Sequence, residues 1–385
     1  MEGGFTFIAL PLGLMFFLSG FIINFFQLLA TLFVLPLSRR LFRIANMVMM
    51  EALWSELIWL VDWWAGVQAC FFHSQNCQFS QSYGKEHALL ISNHRSDIDW
   101  LVGWIMAQRC GCLGGTRAIM KQSTKFLPVI GWSMWFSDYV FLARNWARDE
   151  HTLKTGFQRL EGFPRVLWVA LFVEGTRFTK AKLTGAQEFA LSHGMRVPRH
   201  VLVPRTKGFV SAVQNMRNFV PAVYDATVAI SKDLPAPTML RLIRGQPSVV
   251  HVHVRRTLMT ELPTSDEELA SWCHKAFATK DALLDEHEKE NTFGENLYRP
   301  IPRPLLPLFI VIGWALLLLP ASWWLLRPLL ASSRGIAWIV GILLLVVICI
   351  QVLVMSSQSE RSSNPAARKS KPVNEAPLPP RGKAG

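Results

Sequence analysis

The chain has 385 residues, of which 51% are hydrophobic and 17% are charged, and its formal net charge is +13. This apolar composition, with 15 Trp and 25 Phe, excludes an ordinary water-soluble protein and indicates that part of the chain lies in lipid. The excess of cations is typical of proteins that contact membrane lipids or phosphorylated substrates. Because no nucleic-acid-binding module is recognisable, we expect no nucleic-acid partner.

The N-terminal part of the chain is predicted to form membrane-embedded and interfacial helices. Residues 5–35 are almost uninterruptedly apolar and are long enough for one tilted helix or a shallow hairpin. Arg39, Arg40 and Arg43 follow directly, and by the positive-inside rule they place that end in the cytosol. Residues 53–72 combine tryptophans with acidic residues, which predicts a helix that lies in the membrane interface and does not cross the bilayer.

The middle of the chain is predicted to be an α/β domain. Short β-like runs alternate there with helical stretches, which is typical of a central β-sheet flanked by helices. The predicted strands are residues 88–91, 118–120, 139–142, 167–172, 201–203, 222–230 and 249–254. The predicted helices are residues 100–109, 149–162 and 265–290.

Two transmembrane helices are predicted near the C-terminus, at residues 305–326 and 335–355. The tail beyond them is rich in Ser, Pro, Lys and Arg, so we predict that it is disordered. Since most basic flanks of the apolar segments then fall on one side, the α/β domain is expected to face the cytosol. The predicted parts are therefore residues 1–80 (membrane and interfacial helices), 81–300 (α/β domain), 301–357 (two transmembrane helices) and 358–385 (basic tail).

A histidine and an aspartate five residues apart, His94 and Asp99, follow the first predicted strand of the α/β domain. Ser96 and Asp99 fit the Ser-x-x-acid pattern of a helix start, which places His94 in the strand-to-helix connection. A carboxylate on one imidazole nitrogen fixes the tautomer and leaves the other nitrogen free to take a proton. The pair therefore predicts a general base, although on this spacing alone Asp99 could also be only a helix cap.

A second polar cluster, Glu174-Gly175-Thr176-Arg177, follows the predicted strand 167–172. Open α/β sheets bind ligands at the carboxyl ends of their strands. Arg177 offers a planar fork for a phosphate, Thr176 a hydroxyl and Gly175 an exposed backbone N–H. Taken alone, the cluster favours an ordinary turn that carries a surface arginine.

Three other apolar runs lead into residues that suit a binding site. Lys121 follows residues 118–120, and Arg144 follows residues 139–142. Pro204 follows a further apolar run and could fix the chain direction where that run leaves the domain. Singly, each of these residues has an ordinary surface explanation.

In this order, the clusters resemble the four sequence blocks of the glycerolipid acyltransferases. The blocks here are His94-x4-Asp99, residues 141–144, residues 174–177 and residues 203–204. The sequence Val-Pro-Arg-Thr-Lys-Gly-Phe is similar in particular to the lysophosphatidic acid acyltransferases of the plant endoplasmic reticulum, and the membrane segments fit that layout. One departure is Ala143, which stands where many relatives have an acidic or polar residue and cannot position Arg144 through a side-chain hydrogen bond.

The resemblance implies transfer of an acyl group from acyl-CoA to the sn-2 hydroxyl of 1-acyl-sn-glycerol-3-phosphate, giving phosphatidic acid in the endoplasmic reticulum membrane. It implies that His94 is the general base and that Asp99 orients it. The substrate-binding residues that it implies are Lys121, Arg144, Glu174, Gly175, Thr176, Arg177 and Pro204. We expect no metal and no bound organic cofactor, since acyl-CoA is a co-substrate.

Two alternatives stay open from the residues. The acceptor could be another lysophospholipid, such as lysophosphatidylinositol or lysocardiolipin, because the motifs recognise a glycerol phosphate and not a whole headgroup. A non-catalytic, lipid-binding membrane scaffold is also possible, although an intact His-x4-Asp pair disfavours it. His251 and His253 alternate on one predicted strand and suggest a metal, but without a third ligand we expect them to be exposed strand residues.

Overall fold

The computed structural model describes residues 3–73, 82–96 and 98–357, so the predicted tail lies outside the described part. Seven strands occur in it: β1 Gln68–His73, β2 Ala88–Ser92, β3 Thr116–Lys121, β4 Val140–Leu142, β5 Trp168–Phe172, β6 Ala222–Ile230 and β7 Val249–Leu258. The α-helices of the described part are α1 Gly3–Leu29, α2 Arg39–Trp59, α3 Asp99–Arg109, α4 Ile130–Phe136, α5 Trp146–Arg159, α6 Lys180–Ser192, α7 Thr206–Met216, α8 Met239–Ile243, α9 Asp266–Glu290, α10 Leu306–Leu330 and α11 Ser333–Ser357.

The strands form one sheet in the order β1-β7-β6-β2-β5-β3-β4, which confirms the predicted α/β fold. All neighbouring pairs are parallel except β6 and β7, which are antiparallel. The central strand β2 is buried on both faces, which explains its apolar run without polar alternation. Leu89 and Ile91 belong to one hydrophobic core and Ala88 and Leu90 to the other, so the sheet separates two packed layers.

The parallel strands β2, β5, β3 and β4 bring four loops to the same edge of the sheet. Their carboxyl ends are followed by the predicted site segments, and Lys121 is the last residue of β3. Ligands of open α/β sheets bind at this edge. The strand order alone therefore places the candidate residues on one side of the domain.

The predicted strand at residues 201–203 is wrong, because this segment has no ladder partner and is irregular. Its backbone is satisfied by a side chain, since Asp281 of α9 accepts hydrogen bonds from the N–H groups of Arg199, His200 and Val201. A short apolar run indicates burial, but it cannot distinguish a strand from a buried coil.

Among the residues that the structure describes, four helices are long and apolar enough to cross a membrane. The first, α1, continues without interruption through a π-helical turn at Ala30–Val34, so the apolar N-terminal segment is one helix and not a hairpin. The second span is Arg39–Trp64, and α10 and α11 provide the other two. The two predicted C-terminal helices are therefore confirmed.

The predicted helix at residues 53–72 is too long, because the helical segment ends at Trp64. Helix α2 begins at Arg39 and passes into a π-helical turn that ends at Trp64, and the following segment is strand β1, paired with β7. Trp54 is fully buried and stacks on Trp104 of α3 at 4.2 Å between ring centroids, so its indole does not lie at the membrane surface.

The acidic residues of this segment have buried partners from elsewhere in the chain. Asp62 is paired with Arg109 of α3 at 3.0 Å, and Glu56 accepts a hydrogen bond from Ser19 of α1 at 2.9 Å. A buried acid is tolerated where such partners offset the loss of water. The sequence shows the two acids but not these partners, which is why it favoured an interfacial position.

Polar side chains also join α1 and α2 to the α/β domain. Asn24 donates to Ser133 of α4 at 2.8 Å, and Gln27 donates to Asn46 of α2 at 3.0 Å. Hydrogen bonds of this kind hold helices together where water is scarce. They fix α1 against α2 and against α4, which lies between β3 and β4.

Candidate active site

A cavity of about 1620 Å³ lies at the carboxyl edge of the sheet and extends between α1 and α2. All of the site residues predicted from the sequence line it: His94, Asp99, Lys121, Arg144, Glu174, Gly175, Thr176, Arg177 and Pro204. Ligand pockets usually measure about 300–1,000 Å³, so this cavity has room for a large ligand or for parts of two. The fold thus brings together residues that are distant in the sequence.

His94 and Asp99 form a hydrogen-bonded pair, with His94 Nδ1 2.9 Å from Asp99 Oδ2. The Asp99 side chain is 1% exposed, and the same oxygen accepts from the backbone N–H groups of Arg95 at 2.6 Å and Ser96 at 2.8 Å. Because Oδ2 acts as an acceptor throughout, Nδ1 carries the proton and Nε2 is the basic nitrogen. The ring also stacks on Phe172 at 4.4 Å, which fixes its plane.

The predicted placement of this pair at a strand-to-helix connection is confirmed. Helix α3 begins at Asp99, so the carboxylate lies in its first turn and folds back to the imidazole. Ser96 is not the residue directly before the helix, which is Ile98, and no side-chain hydrogen bond caps the helix there. The Ser96 hydroxyl donates instead to the carbonyl of Pro237 at 3.0 Å.

The main chain of His94 is held on both sides. Glu174 accepts the N–H of His94 at 3.3 Å, and the carbonyl of His94 accepts the N–H of Phe178 at 2.8 Å. Just before it, Asn93 makes two hydrogen bonds with the backbone of Val228, at 2.9 and 2.8 Å. These three contacts fix the histidine loop to β6 and to the loop after β5, and the sequence alone did not indicate Asn93 or Phe178 as part of the site.

Glu174 is a buried carboxyl that supports the histidine loop. It is 2% exposed, and its pKa is raised to about 8. Burial is the largest cause; the hydrogen bond from the His94 N–H lowers the pKa, and the nearby charge of Asp99 raises it. Its observed hydrogen bond is to the protein backbone, so it orders the histidine loop.

A buried lysine lies behind this carboxyl. Lys280 of α9 is 1% exposed and is paired with Asp225 of β6, whose carboxylate also binds Arg255 at 2.9 Å. Burial lowers the pKa of Lys280, while Asp225 and Glu174 oppose that change. Sequence reasoning missed this lysine. The available signal was its position on the apolar face of α9, three residues after the buried Phe277.

Cationic side chains line the opposite part of the cavity. Burial lowers the pKa of Arg144, and the neighbouring charges of Arg205 and Arg177 lower it further. The pKa of Lys182 is lowered first by burial and then by Arg177 and Arg144. All four cations line the same cavity. A bound group with more than one negative charge would offset their repulsion.

The turn that carries Arg177 is fixed by a lysine from the next helix. Lys182 donates to the Thr176 hydroxyl at 2.7 Å and to the Arg177 carbonyl at 2.9 Å. Gly175 has a φ of +67°, and a Cβ atom there would lie 3.1 Å from the Arg205 side chain. Glycine is therefore favoured by this backbone conformation, and a larger residue would also have to displace the Arg205 side chain slightly. Lys182 and Arg205 were not among the predicted residues.

Arg144 is positioned through the backbone. Its own φ is +64°, and Asp149 of α5 accepts the N–H groups of Ala143 at 2.8 Å and Asn145 at 2.9 Å. The backbone therefore positions Arg144, although the side chain of Ala143 can make no hydrogen bond. At the neighbouring wall, the N–H of Arg205 donates to the Val173 carbonyl at 2.8 Å, which holds the segment after Pro204 against the β5 loop.

The prediction that His251 and His253 are exposed is wrong, since both are buried. His251 Nδ1 lies 2.9 Å from Nε2 of His287 on α9. Burial lowers the pKa of His253 to about 4. Within the described ranges, no group of three or more His, Cys, Asp or Glu side chains is arranged to hold a metal ion.

Comparison with known proteins shows which families and relatives this sequence is similar to. The acyltransferase family profile matches residues 73–231, and the profile for the acyltransferase C-terminus matches residues 241–314. The chain is 54% identical over 367 residues to 1-acyl-sn-glycerol-3-phosphate acyltransferase 2 of Brassica oleracea, covering 95% of this chain and 93% of that protein. It is 56% identical over 358 residues to the Arabidopsis thaliana protein of the same name, covering 92% of each. Human 1-acyl-sn-glycerol-3-phosphate acyltransferase gamma is 37% identical over 310 residues, 80% of this chain and 81% of that protein.

Proposed function

The chain belongs to the 1-acyl-sn-glycerol-3-phosphate acyltransferase family, and we propose that it transfers an acyl group from acyl-CoA to the sn-2 hydroxyl of 1-acyl-sn-glycerol-3-phosphate. The product is phosphatidic acid. The observation that carries this proposal is the His94–Asp99 pair, with its 2.9 Å hydrogen bond, in one cavity with a cluster of cations. The pair suits a base for an alcohol, and the cations suit the phosphate of the acceptor.

The proposed chemistry begins with His94. An alcohol is a weak nucleophile at neutral pH, so Nε2 takes its proton as the oxygen attacks the thioester carbonyl carbon. The carbon–sulfur bond of the tetrahedral intermediate then breaks, and the imidazolium returns the proton to the departing CoA sulfur. Asp99 stabilises the imidazolium and keeps the ring oriented. Because the hydroxyl attacks directly, the reaction requires no acyl-enzyme intermediate.

The acceptor phosphate is proposed to bind between Arg144, Arg177 and Lys121. Lys182 supports this site by fixing the turn of Arg177 and adds a further charge. Bidentate binding by arginine would restrict both the position and the rotation of the phosphate. Holding the hydroxyl beside a fixed base converts an encounter of two molecules into an intramolecular step, which is a large source of rate enhancement.

The membrane helices support a lipid acceptor. The cavity continues from the polar site to apolar side chains of α1 and α2, and both helices are apolar enough to cross a membrane. From the resemblance to acyltransferases of the plant endoplasmic reticulum, we propose that the protein resides in that membrane. We propose that its α/β domain faces the cytosol, because Arg43 of the basic cluster 39–43 pairs with Asp138 of this domain at 3.1 Å and so lies on the same side of the membrane. No metal or resident cofactor enters the proposed reaction, since acyl-CoA serves as a co-substrate.

The test is acyl transfer by the purified full-length protein in lipid nanodiscs. Radiolabelled acyl-CoA would be supplied with 1-acyl-sn-glycerol-3-phosphate, lysophosphatidylinositol or lysocardiolipin, and both CoA release and the lipid product would be measured. We expect phosphatidic acid from the wild type and no detectable transfer by His94→Ala. The control is His151→Ala, which removes an exposed histidine of α5. Activity of His94→Ala equal to that of the control would refute the assigned base, and preference for another lysolipid would refute the acceptor.

A further inference from the structure

A carboxyl group lies in the apolar wall of the cavity that α1 and α2 form. Glu56 belongs to the span Arg39–Trp64, is 4% exposed and lines the same cavity as His94. One of its oxygens, Oε2, accepts a hydrogen bond from Ser19 at 2.9 Å. The other, Oε1, has no hydrogen-bond partner among the described residues. Buried polar atoms are usually paired, so an unpaired acceptor that lines a cavity can bind a ligand group. Asp99 Oδ1 and Glu174 Oε2 are unpaired acceptors in the polar part of the same cavity, whereas Glu56 Oε1 lies in its apolar part.

The surroundings of Glu56 make this oxygen unusual. The cavity wall formed by α1 and α2 includes Leu12, Phe16, Phe17, Leu57 and Leu60. Such a surface suits a hydrocarbon chain and gains nothing from a carboxyl group. The bond to Ser19 links α1 to α2, but it uses only one of the two oxygens. A purely structural tie between the helices therefore leaves Oε1 unexplained.

We propose that Glu56 is a specificity-determining residue that binds an acyl chain carrying a hydroxyl group in its hydrocarbon part. A hydroxyl can donate a hydrogen bond to Oε1, whereas a methylene group cannot. A site built to bind such a group discriminates strongly against the analogue that lacks it, because the buried polar atom is then left unpaired. This inference rests on the proposed acyl transfer. The hydroxylated chain is that of the thioester donor or the sn-1 chain of the acceptor, and both have the same chemistry.

The experiment compares matched substrates with the full-length protein in nanodiscs. In the donor arm, octadecanoyl-CoA is compared with hydroxyoctadecanoyl-CoAs whose hydroxyl lies at successive mid-chain carbons, using an unsubstituted acceptor. In the acceptor arm, an unsubstituted donor is used with acceptors whose sn-1 chain carries the same series. The quantity measured is the ratio of kcat/KM for the hydroxylated substrate to that for the plain one. The arm that shows the preference identifies which chain reaches Glu56.

Three variants isolate the carboxyl group. Glu56→Leu is expected to lower the ratio about tenfold at the preferred hydroxyl position, while Glu56→Gln, which keeps an acceptor oxygen, retains most of it. Leu60→Val changes the volume of the same wall without a polar group, so it should alter the preferred chain length but not the ratio. A structural role of Glu56 would change all rates together and would leave the ratio unchanged.

The proposal is overturned if the wild type shows no preference for any hydroxylated chain in either arm, a result that does not depend on whether a variant folds. It is also overturned if Glu56→Leu keeps the wild-type ratio at every position. Activity with plain substrates separates these outcomes from a failure of the proposed function. If no acyl transfer occurs with plain substrates or with hydroxylated ones, acyl transfer itself is refuted and the inference falls with it.

Discussion

Two substitutions of Glu174 separate the two effects of its buried carboxyl. The carboxyl accepts the backbone N–H of His94, and it is almost fully buried. Glu174→Gln keeps an acceptor of nearly the same volume and removes the titration. Glu174→Ala leaves the His94 N–H unpaired, which should cost about 1–3 kcal/mol of stability. Because this contact also positions the catalytic loop, we expect kcat to fall further in the Ala variant than in the Gln variant.

The pH dependence of stability follows from the direction of the pKa change. Burial raises the pKa of Glu174 from 4.5 to about 8, so the folded protein binds a proton more tightly than the unfolded chain does. Stability is therefore lost as the pH rises from about 4.5 to about 8. At about 1.36 kcal/mol for each pKa unit, the loss is on the order of 5 kcal/mol. Glu174→Gln lacks this contribution.

The assay is thermal unfolding of the full-length protein in one detergent, from about pH 5 to about pH 9. We expect the melting temperature of the wild type to fall relative to that of Glu174→Gln across this range. Glu188→Gln, which changes an exposed glutamate of α6, provides the control and should follow the wild type. Parallel profiles for the wild type and Glu174→Gln would show that Glu174 does not titrate here and would refute the reasoning.

Three further substitutions test other contacts of the site. Asp99→Asn should reduce kcat by about 10²–10⁴ with little change in KM, because the imidazolium of His94 loses its partner and the tautomer is disturbed. Lys182→Met should raise the KM for the acceptor about tenfold, since it removes a cation and frees the turn of the phosphate site. Lys280→Met should lower the free energy of unfolding by about 3 kcal/mol, because Asp225 stays buried and loses a partner.

For each of these three variants, one measured outcome would contradict the expected effect. Steady-state kinetics with wild-type kcat for Asp99→Asn would mean that its carboxylate is not needed by the base. Lys180→Met, which changes an exposed lysine of the same helix, is the control for Lys182→Met. Equal acceptor KM values for these two variants would remove Lys182 from the phosphate site. An unchanged denaturation midpoint for Lys280→Met would show that its pair with Asp225 contributes no net stability.

Motifs at strand ends could be predicted because they are local. The apolar runs before His94 and Glu174 identified β2 and β5, and the α/β pattern placed the following residues at one edge of a sheet. The polar groups that hold those motifs could not be predicted in the same way. Asn93 contacts Val228, and Lys280 lies behind Glu174, across long separations in the sequence. Such pairs depend on which helices and strands become neighbours.

The sequence by itself determined the alternation of strands and helices, the apolar membrane helices and the chemical types of the site residues, because each depends on residues that are close in the chain. Only the tertiary structure decided what the buried polar groups do. Residues 53–72, which we expected to form one helix, contain the end of α2 and strand β1, and Asp62 is paired with Arg109. The tertiary structure also placed Glu56 in the wall of the cavity that contains His94. The cost of burying a charge is offset by partners from distant segments, and the fold alone brings those segments together.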